Sequence, residues 1–314
     1  IIFNRFLKYC GNLLSLKKRR IKSMRILSPL RYPGGKSRIT DFVKQIIKDN
    51  NLLDGVYVEP YAGGAAVALS LLMDEYVSRI IINDKDRSIY AFWHSVLYDT
   101  DRLCQLIEET PVNMETWRAQ RELQTLDIKK TASLLMLGFS TFFMNRTNRS
   151  GIIKAGVIGG FDQTGNYKID ARYRKEDLIA RIRRIAYYAD RIELHHEDAV
   201  DLVNNIAQTA PQNTILYLDP PYYKKGRGLY MNYYDDADHE RIRDVISHVY
   251  SLRWIVSYDN SPFIKSLYQT FRSQEFYLNY SANNNGIGTE VIFFSDNCKV
   301  TEEALGKINI VESC

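Results

Sequence analysis

Short β-prone stretches alternate with helical ones along most of this 314-residue chain, and that alternation constrains its fold more than any other feature. VYVEP (56–60) reads as a strand closed by proline, and AGGAAVALSLLMDEY after it as an Ala- and Leu-rich helix. RIIINDKD (79–86) reads as a second strand ending in acids, followed by helical spacing through RSIYAFWHSVLYDTDRLCQLIEE. This βαβα order predicts an α/β fold, a parallel sheet with helices on its faces. The pattern resumes after about residue 180 with RIELHHEDAVDLV, NTILYLDPP, RWIVSYDNS, EFYLNYSA and EVIFFSD, and a helix around HERIRDVISHVY. Only GIG-type loop chemistry separates the last two strands, so they are expected to pair antiparallel.

Between the two halves the pattern changes. NMETWRAQRELQTL, KKTASLLMLGFSTFFM and KEDLIARIRRIAYYAD have helical spacing, and 145–170 is rich in Gly, Asn and Thr, as an exposed hairpin or loop region would be. The expected organisation is a sheet domain made of 24–111 and 181–314, interrupted by an insert at 112–180. Charge follows the same division. The net charge is +5, yet residues 115–185 hold 14 basic and 7 acidic side chains and residues 1–25 hold 8 basic and none acidic. The rest carries 20 basic and 30 acidic groups. A basic middle in an acidic body fits either a polyanion-binding insert or a solvated helix face.

Cys10, Cys104, Cys298 and Cys314 form no CxxC pair, which favours reduced thiols over a disulfide framework or a zinc site. No apolar run approaches the roughly 20 residues of a membrane span. Residues 1–23, with KKRR at 17–20, lack the apolar segment and small-residue cleavage site of a signal peptide. They are read as a tail or upstream translation ahead of Met24.

Several short motifs sit where such a sheet would end its strands. EPYAGGAA (59–66) takes a strand through a glycine turn into a helix, where a ligand can approach the backbone; a tight structural turn is the plain alternative. Asp84 follows about 20 residues later, suited to ribose hydroxyls, so the two together read as an adenosine-type cofactor site. GxGxxG is absent, which disfavours a nicotinamide dinucleotide. Asp198 in HHEDAV is another strand-end acid, or the N-cap of VDLVNNIA. His195 and His196 alternate faces and are not read as a metal pair. RYPGGKSRI (31–39) is a second Gly-rich turn without the P-loop pattern; Lys36 faces a carboxylate or phosphate, or the segment is an ordinary turn.

The most specific motif is DPPY at 219–222. Two prolines cannot continue a sheet ladder, so a buried strand leaves the sheet in a fixed shape. Asp219 offers carboxylate oxygens, and Pro221 holds the Pro220 carbonyl rigid beside it. Two adjacent acceptors match the two hydrogens of an exocyclic amino group, and they stabilise the positive charge that develops when its nitrogen attacks. Tyr222 offers a face for a planar base, one that would have to be taken out of its stack to arrive there.

DPPY with EPYAGGAA upstream resembles the amino-directed DNA methyltransferases that use S-adenosyl-L-methionine. The order RYPGGK, EPYAGGAA, long insert, DPPY is similar to the Dam-like adenine-specific class. The segment FMNRTNRSGIIKAGVIGGFDQTGNYKIDARY adds to the likeness, which covers about 28–297. The resemblance implies a Rossmann-like class I methyltransferase sheet, mostly parallel with an antiparallel last strand, and a mainly helical target-recognition insert. It implies that Tyr32, Pro33, Gly34 and Lys36 contact the methionine end of the cofactor, with Glu59, Pro60, Ala62 and Gly63 as its floor. Asp84 would hold the ribose, Asp198 would lie near the cofactor adenine, and Asp219, Pro220, Pro221 and Tyr222 would hold the target adenine, with Asp219 also bordering the cofactor. Asn145, Arg146, Asn148, Arg149, Ser150 and Arg172 would lie at the DNA. No metal is implied. Double-stranded DNA is the expected partner of a cytoplasmic enzyme, a monomer in solution, with or without a cognate restriction endonuclease. Cytosine's exocyclic amine, RNA, and a catalytically silent DNA-binding relative stay open as alternatives. YAGGAA departs from the frequent FxGxG, which allows the loop glycines to shift by one, and the insert departs from GATC-specific members, which leaves the recognition sequence open.

Overall fold

A computed structural model describes residues 27–31, 39–223, 234–279 and 287–308. Tyr32, Pro33, Gly34 and Lys36, and the extension 1–23, lie outside the described residues. Helix α1 (Thr40–Asp49) leads into β1 (Gly55–Glu59), α2 (Ala66–Met73), β2 (Val77–Asn83), α3 (Arg87–Tyr98) and α4 (Thr100–Glu109). The middle of the chain forms α5 (Met114–Glu122), α6 (Leu126–Thr131), α7 (Leu134–Thr147) and α8 (Lys175–Ala186). Then come β3 (Ile192–His195), α9 (Ala199–Thr209), β4 (Thr214–Leu218), α10 (Asp236–Ser247), β5 (Arg253–Asp259), α11 (Pro262–Leu267), β6 (Arg272–Asn279), β7 (Ile287–Phe294) and α12 (Glu302–Leu305). Among the described residues no helix is long and apolar enough to cross a membrane.

The strands form one sheet in the order β3-β2-β1-β4-β5-β7-β6. The first five run parallel, and β7 pairs antiparallel with both β5 and β6, as the short GIG connection predicted. The order reverses between β1 and β4, and in open α/β sheets ligands bind at the strand carboxyl ends beside such a reversal. Every residue of β1 and β4 is buried, because helices cover both faces of the central strands.

Side-chain alternation sorts the sheet into two faces. Val56, Val58, Leu216, Leu218, Trp254 and Val256 join α9 and α10 in one apolar cluster. Tyr57, Ile215, Tyr217 and Ile255 face the other way, into a cluster shared with α1, α3, α7 and α8. The same parity carries Glu59, Asp219 and Ser257 to the face that holds Tyr57 and Tyr217.

The insert has no core of its own. Phe139, Phe142, Phe143, Met144, Val157, Ile169 and Tyr173 lie in the cluster that contains Phe92, Trp93 and Val96 of α3. The Phe92 and Phe142 rings stack at 6.2 Å, and a Cβ on Gly138 would fall 2.5 Å from the Ala91 carbonyl oxygen. Glycine at 138 therefore permits the close crossing of α7 on α3. A buried ion pair adds a polar tie, with Lys129 Nζ 2.5 Å from Asp86 Oδ1. Of the hairpin or loop expected in 145–170, the structure has the loop: a single antiparallel bridge joins Asn148 and Val157, and turns carry the rest. Glycine-rich sequence supports turns as readily as hairpins, and here Gly151, Gly159 and Gly160 all have positive φ.

Candidate active site

The carboxyl ends of β1, β2 and β4 bring Glu59, Asp84 and Asp219 to one edge of the sheet. Asn83 ties this edge together. Its Nδ2 donates to the carbonyls of Pro60 at 2.9 Å and Glu197 at 3.1 Å, and its Oδ1 accepts from the Glu197 amide at 3.0 Å. The Ala62 amide donates to the Asn83 carbonyl at 2.8 Å. One buried asparagine thus fixes the ends of three strands, a role hidden behind its more conspicuous neighbour Asp84.

The turn after β1 is held from both sides. The Gly63 amide donates to Asp84 Oδ2 at 3.0 Å, and the Gly63 carbonyl accepts from Trp93 Nε1 at 2.9 Å. Gly63 has φ of 47° and Ala65 of 46°, so the left-handed positions of YAGGAA include an alanine. Asp84 Oδ1 also accepts from the Asp86 amide at 2.9 Å. Burial, then the charge of Asp86, push the Asp84 carboxyl up to about 7, with its two amide donors and Lys129 pulling the other way. Glu59 Oε1 accepts from the Tyr57 hydroxyl at 2.9 Å and from the Ala68 amide at 3.2 Å. Burial pushes Glu59 up to about 8; those two donors oppose the shift and Asp219 adds to it.

Asp198 has a different place. It caps α9 by accepting from the Val200 amide at 3.0 Å, and Lys85 Nζ sits 2.7 Å from its other oxygen. Burial alone would raise this carboxyl, but the Lys85 and Val200 bonds outweigh it and bring it below its ordinary value. The helix-cap alternative is therefore realised at Asp198.

DPPY leaves β4 as its prolines require. Ser257 Oγ, on β5, donates to Asp219 Oδ1 at 3.0 Å. Pro220 and Pro221 are buried. Tyr222 is 2% exposed and its hydroxyl donates to Glu290 on β7. The Tyr223 amide donates to Asp259 Oδ1 at 2.8 Å, and its ring stacks on Phe263 at 4.6 Å. Neither Ser257 nor Glu290 carries a sequence signal that would tie it to DPPY.

The residues expected at DNA divide into two groups. Asn145 and Asn148, expected at the DNA surface, are instead buried and hold the chain together. Asn145 accepts from the Arg31 amide at 2.7 Å and donates to the carbonyls of Arg31 at 2.7 Å and Gly151 at 2.8 Å. Asn148 accepts from Trp117 Nε1 at 2.7 Å and donates to the Ile153 carbonyl at 2.8 Å. These bonds replace the regular pairing that the glycine-rich segment lacks. Arg146 is half-buried, its Nε donating to the Arg172 carbonyl at 2.8 Å; burial, then Arg31 and Arg181, lower its guanidinium to about 10. Arg149 and Arg172 are exposed, and Ser150 is half-buried with φ of 57°. His195 lies between Glu193 and Glu197 and His196 stacks on Tyr90 at 4.5 Å; among the described residues no group of three or more His, Cys, Asp or Glu could hold a metal.

The DPPY corner lies beside the reversal of the sheet order, at the strand carboxyl ends where α/β sheets bind ligands. The chain belongs to the D12 class N6 adenine-specific DNA methyltransferase family, whose model matches residues 32–281, and it is an enzyme of adenine methylation in DNA. It is 23% identical over 237 residues to the Type II methyltransferase M.MjaIII of Methanocaldococcus jannaschii, covering 68% of this chain and 76% of that protein. Solved structures that resemble it loosely include protein LPL1258 of Legionella pneumophila (TM-score 0.34, 11% identity, 86% of this chain and 88% of that one). Another is the rRNA methyltransferase aviRa of Streptomyces viridochromogenes (TM-score 0.32, 12% identity, 83% and 86%). Of the substrates that the residues alone left open, the family favours adenine in DNA.

Proposed function

We propose that the enzyme takes its methyl group from S-adenosyl-L-methionine and delivers it to an adenine flipped out of duplex DNA, by direct transfer without a covalent enzyme intermediate. The donor fits the acid-rich edge. Burial and nearby acid push both Glu59 and Asp84 upward, which favours a ligand that brings positive charge to them. A ligand with cationic groups and ribose hydroxyls suits such acids. Glu59, Pro60, Ala62, Gly63 and Asp84 would hold it, together with Tyr32, Pro33, Gly34 and Lys36; Asp198, spent as a helix cap, would contribute through the start of α9. When bound, the cofactor supplies an activated sulfonium methyl group.

The observation that carries the reading is Asp219, its carboxylate anchored by Ser257 at 3.0 Å at the end of a buried strand, beside a proline carbonyl. The carboxylate and the Pro220 carbonyl would accept the two amino hydrogens of the adenine. Acceptors placed in advance favour a tetrahedral nitrogen and stabilise its developing charge. The Tyr222 ring would carry the base, and alignment of the reacting atoms supplies much of the acceleration. Arg146, Arg149, Ser150 and Arg172 would meet the DNA, with the exposed arginines on its phosphates. The likeness to a Type II methyltransferase supports site-specific action on duplex DNA; a cytoplasmic location and a cognate endonuclease belong to the same proposal. Replacing Asp219 with Ala should abolish methylation while cofactor binding, measured by calorimetry, survives. Wild-type turnover in that variant overturns the assignment. Long-read sequencing of DNA from a methylase-free host expressing the protein gives the modified base and its sequence context.

A further inference from the structure

We infer that Tyr217 and Ser257 form a buried hydroxyl relay that positions the Asp219 carboxylate, an inference that rests on Asp219 being the acceptor for the target amino group. Tyr217 precedes Asp219 by two residues on β4 and so shares its face of the sheet. Ile255 is the ladder partner of Tyr217, which brings Ser257 level with Asp219. The Tyr217 hydroxyl lies 2.7 Å from Ser257 Oγ, and Ser257 Oγ lies 3.0 Å from Asp219 Oδ1. A hydroxyl has one proton. Because the carboxylate can only accept, the Ser257 proton goes to Asp219, and Tyr217 is then the donor to Ser257. Tyr217 is 2% exposed and Ser257 fully buried, so water does not compete for either bond.

The neighbouring strand shows why the serine is needed. On β1 the same Tyr-x-acid spacing lets Tyr57 donate directly to Glu59 at 2.9 Å. Aspartate is one methylene shorter than glutamate, and on β4 the Ser257 hydroxyl bridges the difference. A hydroxyl donated to a carboxylate is a charge-assisted bond, roughly twice as strong as a neutral one. It fixes the plane of the carboxylate and favours its ionised form, while a carboxylate's about four acceptor sites leave capacity for a substrate amino group. Among the described residues, the titratable groups facing Asp219 include Tyr217 on its own strand and Tyr57 and Glu59 on β1; Asp259 and Glu290 hold the next residues, Tyr223 and Tyr222. Ser257 and Tyr217 are positioning residues, acting on the reaction only through Asp219.

The test compares wild type with S257A, Y217F and D219A in single-turnover methyl transfer from labelled S-adenosylmethionine to DNA from a methylase-free host. The rate is followed against pH, and cofactor affinity is measured by calorimetry. S257A should lower the transfer rate about 10- to 100-fold, the scale of a small misplacement of a reacting group. It should also move the acid limb of the profile to higher pH and leave cofactor affinity within about twofold. Y217F should shift both quantities the same way by less. Either variant matching wild type in rate and acid limb overturns the relay. If S257A does not fold, Y217F decides alone, since it keeps the ring and removes only the terminal donor. D219A separates the two levels: an active D219A overturns the role of Asp219 itself, whereas an inactive D219A with wild-type S257A or Y217F overturns only the relay.

Discussion

Glu59 and Asp219 end neighbouring parallel strands on the same face of the sheet, and the charge on Asp219 adds to the burial that pushes the Glu59 carboxyl up to about 8. The two acids are held differently: Glu59 accepts from Tyr57 and Ala68, and Asp219 from Ser257.

The Glu59 shift fixes the sign of a stability change. The folded state holds this proton more tightly than the unfolded state, whose value is 4.5. Between the two values folding takes up a proton, so the stability that Glu59 contributes is complete below the unfolded value and is lost as pH rises through about 8. The expected loss is on the order of a few kcal/mol. Glu59→Gln stays neutral and can still accept from Tyr57 and Ala68, so urea denaturation between about pH 5 and 8 should show a flatter slope for this variant. Parallel slopes for the variant and wild type would mean that Glu59 is ionised in the fold.

Cofactor binding should release protons. Asp84 sits at about 7 because burial and Asp86 outweigh its amide donors, and Glu59 sits at about 8. A cationic ligand beside these acids favours their ionised forms. Calorimetric titration with S-adenosylmethionine near pH 7, in two buffers of different ionisation enthalpy, should report net proton release, reduced in Asp84→Asn. Identical enthalpies in the two buffers would count against a cationic ligand at this edge. Asparagine has a single acceptor oxygen, so the variant also loses one of the two amide bonds from Gly63 and Asp86 and should bind the cofactor about tenfold more weakly.

Tyr222 is buried, its hydroxyl is donated to buried Glu290, and its ring is the surface proposed to carry the base. Tyr222→Phe keeps the face and leaves Glu290 short of a donor, a cost of about 1–3 kcal/mol in stability. Tyr222→Ala also removes the stacking surface, worth about 1–3 kcal/mol per base. The Phe variant should therefore melt lower yet transfer methyl groups within about tenfold of wild type, with the Ala variant about ten- to a hundredfold slower than the Phe variant. Equal rates for the two would remove the ring from the base-binding role.

These relationships also show what the sequence could disclose. DPPY was legible because two prolines after a buried strand have few structural uses and because acid, carbonyl and ring fall on adjacent residues. Alternation gave the α/β class, and the short GIG connection gave the antiparallel end of the sheet. Ser257 and Glu290 were not legible: they lie 38 and 68 residues beyond their partners, and their strands read as ordinary core. Asn145 and Asn148 looked like surface residues for the opposite reason. Asparagine among glycines suggests solvent and ligand, whereas here those side chains replace missing backbone pairing. The basic charge of the insert drew attention away from LLMLGFSTFFM, whose phenylalanines merge the insert into the core of the sheet domain.

Asn145 and Arg149, four residues apart, should therefore fail in opposite ways. Asn145 makes three hydrogen bonds to the backbone of Arg31 and Gly151, and Gly151 has φ of 77° at a place where an added Cβ would clash with the Arg31 carbonyl. Asn145→Ala leaves buried backbone groups unpaired, each at about 1–3 kcal/mol, so it should lower the urea midpoint sharply while the folded fraction keeps its affinity for DNA. Arg149 is exposed. Arg149→Ala should leave the midpoint unchanged, weaken DNA binding across sequences, and reduce the slope of log affinity against log salt by about one. Fluorescence anisotropy with a DNA duplex at several salt concentrations, beside denaturation curves for both variants, separates the two outcomes. An Arg149→Ala enzyme with the wild-type salt slope would place the phosphate contact elsewhere in the insert.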